Sequence, residues 1–86
     1  MKEFTYTIKD ALGIHARPAG QLSKLAKSFA DTAVTITANG KTVNAGQLMK
    51  LMGLGVKQGT DVTIACDGAN EETACTELQK FLEANL

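Results

Sequence analysis

Eighty-six residues leave room for one domain, residues 1–86, with one core, because a chain this short buries only about 60% of the surface it exposes when unfolded. Nine basic and nine acidic residues cancel to a formal charge of zero, and aromatic residues make up 5% with no Trp. Binding to nucleic acid calls for a basic excess and stacking side chains, and binding to anionic lipid for the same excess, so neither partner is expected.

The chain opens with Met1-Lys2-Glu3-Phe4-Thr5-Tyr6. This start has no apolar core of a secretory signal, and no apolar run approaches the roughly 20 residues of a membrane span, so a cytoplasmic protein without membrane insertion is expected. Phe4, Tyr6 and Ile8 alternate with Thr5 and Thr7, which is the period of a half-buried first strand. Asp10 to Gly13 reads as a turn. From Ala16 the apolar spacing changes to Ala19, Leu22, Leu25, Ala26 and Phe29, one face of a helix. Gly20 costs that helix about 1 kcal/mol relative to Ala. Close approach of helix to sheet is the favoured explanation for it, and access by a partner the second.

Val34, Ile36 and Ala38 alternate with Thr35 and Thr37 and run into Asn39-Gly40, then Lys41-Thr42-Val43. Asn-Gly between two such segments predicts a hairpin, since both residues tolerate positive φ. Asn44 or Gly46 begins a short second helix carrying Leu48, Met49, Leu51 and Met52, and Gly53 and Gly55 end it. Asp61 to Cys66 is the last strand, Asp67-Gly68 a turn, and Ala74, Leu78, Phe81 and Leu82 the buried stripe of a closing helix. The resulting βαββαβα order predicts an α+β open-faced sandwich, a four-stranded antiparallel sheet covered on one face by three helices.

Cys66 and Cys75 are too few to staple a secreted domain, and both are expected to be buried, reduced thiols. No C-x-x-C or Cys/His cluster is present to hold a metal, and no cofactor motif occurs. The second helix is apolar around nearly its whole circumference. One short helix cannot bury Leu48, Met49, Leu51 and Met52 against one sheet, so Leu51, alone or with Leu48, is expected to face inward and the others solvent, either as a methionine surface that meets several partners or as ordinary core with one or two solvated apolar residues.

The remaining feature is His15, the single histidine, in Gly13-Ile14-His15-Ala16-Arg17-Pro18-Ala19. Imidazole, with an ordinary pKa of about 6.5, is a nucleophile near neutrality. The first helical turn, at Ala16 and Arg17, offers backbone N–H groups without intrahelical partners and a dipole that favours an anion. Arg17 adds forked donors that match phosphoryl oxygens. Nucleophile, cradle and charge clamp together suggest phosphoryl chemistry.

These residues, with Asn39-Gly40-Lys41 and Leu54-Gly55-Val56, make the whole chain resemble HPr, the histidine-containing phosphocarrier family of the bacterial sugar phosphotransferase system. The resemblance implies a stoichiometric carrier rather than an enzyme, in which Nδ1 of His15 accepts phosphate from enzyme I and passes it to IIA domains of sugar permeases. It further implies that Arg17, Gln21, Leu48, Met49 and Met52 lie on the partner-docking face; Gln47 beside them is expected to donate side-chain hydrogen bonds to a partner, and the chain is expected to be a monomer. In many Gram-positive relatives a kinase-regulated serine opens the second helix. Gln47 stands there in this chain, so serine control is not expected. Two other functions compete: a regulatory module that binds proteins through the Met-rich helix, and a small phosphate hydrolase, for which no group to orient water is apparent.

Overall fold

The computed structural model describes residues 1–14 and 16–86. In chain order the elements are β1 (Lys2–Thr7), α1 (Ala16–Ser28), β2 (Thr32–Ala38), β3 (Lys41–Asn44), α2 (Leu48–Met52), β4 (Asp61–Gly68) and α3 (Glu71–Asn85). The four strands form one antiparallel sheet in the order β1-β4-β2-β3, and the helices cover one face of it, as the alternating pattern predicts.

Register explains the two faces. Val34, Ile36 and Ala38 of β2 and Val62, Ile64 and Cys66 of β4 are all buried, and they meet the buried stripes of α1 (Ala19, Leu22, Ala26) and α3 (Ala74, Leu78, Leu82). The intervening residues point the other way. Thr5, Thr63, Thr37 and Thr42 stand opposite one another across all four strands. Their hydroxyls pair at 3.2 Å between Thr5 and Thr63 and at 2.7 Å between Thr37 and Thr42. β-Branched side chains that satisfy one another suit a solvated sheet face.

The hairpin between β2 and β3 turns on Asn39 (φ 53°) and Gly40 (φ 78°), the two positive values that a tight hairpin turn needs. The Asn39 side chain also donates to the Leu54 carbonyl at 2.9 Å, which ties the hairpin to the segment after α2. That second link was not readable from the turn signal.

Five local expectations need correction. Asp67-Gly68 is not the turn after the last strand: β4 runs on through both residues, pairing Asp67 with Ala33 and Gly68 with Thr32. β1 ends at Thr7, one residue before Ile8. Ile8 is nevertheless buried, because its N–H donates to the Thr60 carbonyl at 3.0 Å and its carbonyl accepts from Gly59 N at 2.7 Å, so a loop takes over the pairing. α2 starts at Leu48, with Gln47 rather than Asn44 or Gly46 as its N-cap. Asn44 Oδ1 instead accepts the Gly46 N–H at 2.8 Å, a side-chain turn that delays the helix. Gly20 does not allow a close approach of helix to sheet, since a Cβ built there meets nothing within 4 Å. Cys75 is half-buried rather than buried, because its position on α3 lies at the margin of the helix-sheet seam.

Candidate functional site

α1 begins where the sequence analysis expects, at Ala16. His15, the expected phosphoryl acceptor, lies outside the described residues. Its neighbours define the frame on both sides. Ala16 and Arg17 are exposed in the first turn of α1, while Pro18 and Ala19 are buried. Proline fits here because the first helical residues have no carbonyl one turn earlier for their N–H groups, so the missing donor loses no bond. The backbone N–H groups of Ala16 and Arg17 therefore open toward solvent at the positive end of the α1 dipole.

The approach to the helix is held tightly. Gly13 has φ +67°, and a Cβ on it would lie 2.1 Å from the Val56 carbonyl oxygen, so only glycine fits both the conformation and the space. Ile14 is buried and donates its N–H to the same Val56 oxygen at 3.3 Å. Upstream, the Gly13 N–H closes the expected turn on the Asp10 carbonyl at 3.0 Å, and the Asp10 carboxylate accepts the Leu12 N–H at 2.8 Å. The main-chain oxygen of Leu86 accepts N–H donations from both Lys9 (2.6 Å) and Asp10 (2.8 Å). Leu86 itself is buried.

Arg17 and Gln21 are four residues apart on α1 and both are exposed, so they share one helix face. α2 packs beside α1, and at Gly46 a Cβ would lie 3.2 Å from Lys27 Cγ, which shows how near the start of α2 sits to the later turns of α1. Within α2, Leu51 is buried at 1% exposure, whereas Leu48, Met52 and Met49 are 37%, 42% and 80% exposed. Leu48 thus joins the two methionines at the surface. Gln47 is exposed and makes no side-chain capping bond.

Two contributors were missed in the sequence. The Val56 carbonyl and the Leu86 main-chain oxygen hold the segment before α1 through backbone atoms, which side-chain patterns do not reveal. Among the described residues, no group of acidic, His or Cys side chains could hold a metal ion, and no helix is long and apolar enough to cross a membrane.

A strand, a glycine-locked turn and a helix opening on a first-turn arginine can be set beside known proteins. The family model described as the PTS HPr component phosphorylation site matches residues 2–84. The chain belongs to the PTS HPr family. It is 39% identical over 85 residues to the phosphocarrier protein HPr of Mycoplasma genitalium, an alignment covering 99% of this chain and 97% of that protein. Among solved structures it is similar to the histidine-containing phosphocarrier protein of a mycoplasma, with TM-score 0.92 and 35% identity over 96% of this chain and 93% of the other. It is also similar to HPr of Thermoanaerobacter tengcongensis, with TM-score 0.91 and 38% identity over 98% and 93% of the two chains. HPr proteins are carriers rather than catalysts, and the HPr architecture is the open-faced sandwich described above.

Proposed function

We propose that this chain is a stoichiometric phosphoryl carrier of the phosphoenolpyruvate-dependent sugar phosphotransferase system, with His15 as its acceptor. The observation that carries the proposal is the frame on either side of His15, the pinned Gly13–Ile14 segment before it and the α1 first turn with exposed Ala16 and Arg17 after it. Nδ1 of His15 attacks the phosphorus of phosphorylated enzyme I, the bond from phosphorus to the donor's nitrogen breaks, and the group rests on the carrier as a phosphoramidate. The N–H groups of Ala16 and Arg17 and the Arg17 guanidinium offset the dianionic charge. They bind the phosphoryl group without forming a covalent trap, so it leaves for an IIA domain when that partner's nucleophile is held in line.

Docking in this proposal uses Arg17 and Gln21 of α1 with Gln47, Leu48, Met49 and Met52 of α2. The exposed methionines suit a face that meets enzyme I and several IIA domains in turn, since flexible thioether side chains repack against different shapes. Gln47 has no hydroxyl to accept a kinase's phosphate, so the carrier runs without serine control. It works as a cytoplasmic monomer and takes no cofactor.

The deciding experiment is intact-mass analysis after incubation with phosphoenolpyruvate, magnesium and a bacterial enzyme I. The expected result is one acid-labile phosphoryl group on the native chain and none on His15→Ala. An unmodified native chain, beside an established HPr that is modified in the same tube, would overturn the proposal. Catalytic release of phosphate from acyl phosphates would point to hydrolysis instead.

A further inference from the structure

The two cysteines have no part in the carrier chemistry, yet the fold brings them together. Cys66 of β4 is fully buried on the helix-covered face of the sheet. Its partner across the ladder in β1 is Lys2, whose ammonium reaches the Glu72 carboxylate at 3.7 Å in the first turn of α3. Cys75 follows Glu72 by three positions and so shares its side of the helix. It packs against the same hydrophobic core as Cys66, and it lines a surface crevice with Lys2, Glu72 and Thr76. α3 packs against both β1 and β4, and the Cys66 and Cys75 thiols are near enough to influence one another. One thiol is therefore sealed inside the core and the other stands between it and solvent.

We propose that Cys66 and Cys75 form a redox-sensitive pair, which a small organic disulfide closes, through Cys75, into an intramolecular disulfide joining α3 to β4. Entry at Cys75 follows from access, because a reagent cannot meet a fully buried Cys66 first. In the first step the Cys75 thiolate attacks one sulfur of the reagent. The reagent's S–S bond breaks, a mixed disulfide forms on Cys75, and one reagent thiolate departs carrying the electron pair. In the second step Cys66 loses its proton and attacks the Cys75 sulfur, and the remaining reagent half leaves as a thiol. Two protein thiols are oxidised and one reagent disulfide is reduced to two thiols. Burial first, and then the neighbouring Cys75 thiol, push the Cys66 thiol up to about 12. The second step is thus the slower one and quickens as pH rises.

The test treats the folded chain with glutathione disulfide, then denatures it, alkylates the remaining thiols and measures intact mass without reductant. The native chain is expected to lose about 2 Da, to accept no alkylation, and to recover both thiols on reduction. Cys75→Ser, a change at a half-buried position, is expected to leave Cys66 unreacted. Cys66→Ala is expected to stop at a stable glutathione adduct on Cys75. A native chain that keeps the adduct with Cys66 still alkylated, a dimer linked through Cys75, or a native chain that does not react would each overturn the proposal. The native chain and Cys75→Ser decide the matter even where Cys66→Ala fails to fold.

Discussion

Gly13 shows how a single residue positions the candidate site. Its φ of +67° and the 2.1 Å that would separate a Cβ from the Val56 oxygen leave an alanine with both backbone strain and a clash against main chain, which cannot rotate away. Gly13→Ala is expected to cost at least about 2 kcal/mol in urea unfolding and to slow phosphorylation of His15 more than Arg17→Lys does. Arg17→Lys keeps the charge but loses the forked geometry. As Arg17 is exposed, that substitution is expected to change stability by less than about 0.5 kcal/mol, with the loss confined to the phosphoryl-transfer rate.

Cys66 supplies a pH prediction at the same scale. Its thiol is raised from 9.0 to about 12, chiefly by burial and then by the neighbouring Cys75. Between those values the unfolded chain releases a proton that the folded chain retains, so the unfolded state binds fewer protons and stability falls as pH rises. Below pH 9 the contribution is fully present. Thermal melts from pH 8 to 11 are expected to show a decline that Cys66→Ala flattens. Glu71 works in the opposite direction, held below its ordinary range first by its hydrogen bond to the Met1 amine. Its contribution is present above the ordinary carboxylate pKa and is lost as pH falls through the lowered one.

Among the elements, α2 divides its apolar residues between two tasks. Leu51 is the only one of its four apolar residues that is buried, and Leu51→Ala is expected to cost about 2–5 kcal/mol because the side chain leaves a cavity that the sheet cannot collapse to fill. Met49→Ala at 80% exposure is expected to change stability by less than about 0.5 kcal/mol while weakening the complex with enzyme I. Calorimetric unfolding and titration calorimetry on the two variants separate these effects. The division was only partly legible: four apolar residues in five positions announce that some must be exposed, but which ones depends on the angle at which Asn44 and Gly46 deliver the chain into the helix. Gly20 misled for a related reason. A glycine in a helix signals either contact or openness, and only the neighbouring element, here absent within 4 Å, tells which.

In the whole molecule, a net charge of zero conceals a separation. Residues 11–57 hold six Lys or Arg and one acid, Asp31, whereas residues 58–86 hold six acids and one base, Lys80. The fold turns that division into a spatial one: α1 carries Arg17, Lys24 and Lys27 and α2 carries Lys50, with no acid on either helix, and α3 carries Glu71, Glu72, Glu77 and Glu83. A donor that presents a phosphoryl dianion is thereby drawn to the α1–α2 side and repelled from α3. The association rate with enzyme I, followed by stopped flow, is expected to fall as ionic strength rises. Lys27→Glu should slow association severalfold, and Glu77→Lys should leave it unchanged or faster.

What the amino-acid order determined by itself was the alternating strands, the helix stripes, the Asn39-Gly40 turn, and the His15–Arg17 spacing that marks the family. These features need only local geometry and the sorting of apolar side chains from water. Tertiary structure alone decided the rest. Val56 and Leu86 hold the segment before α1 through main-chain oxygens, and Cys75 comes to Cys66 across a helix-sheet seam. Each of these joins residues distant in sequence, by backbone atoms common to all residue types or by a packing angle that no local pattern encodes.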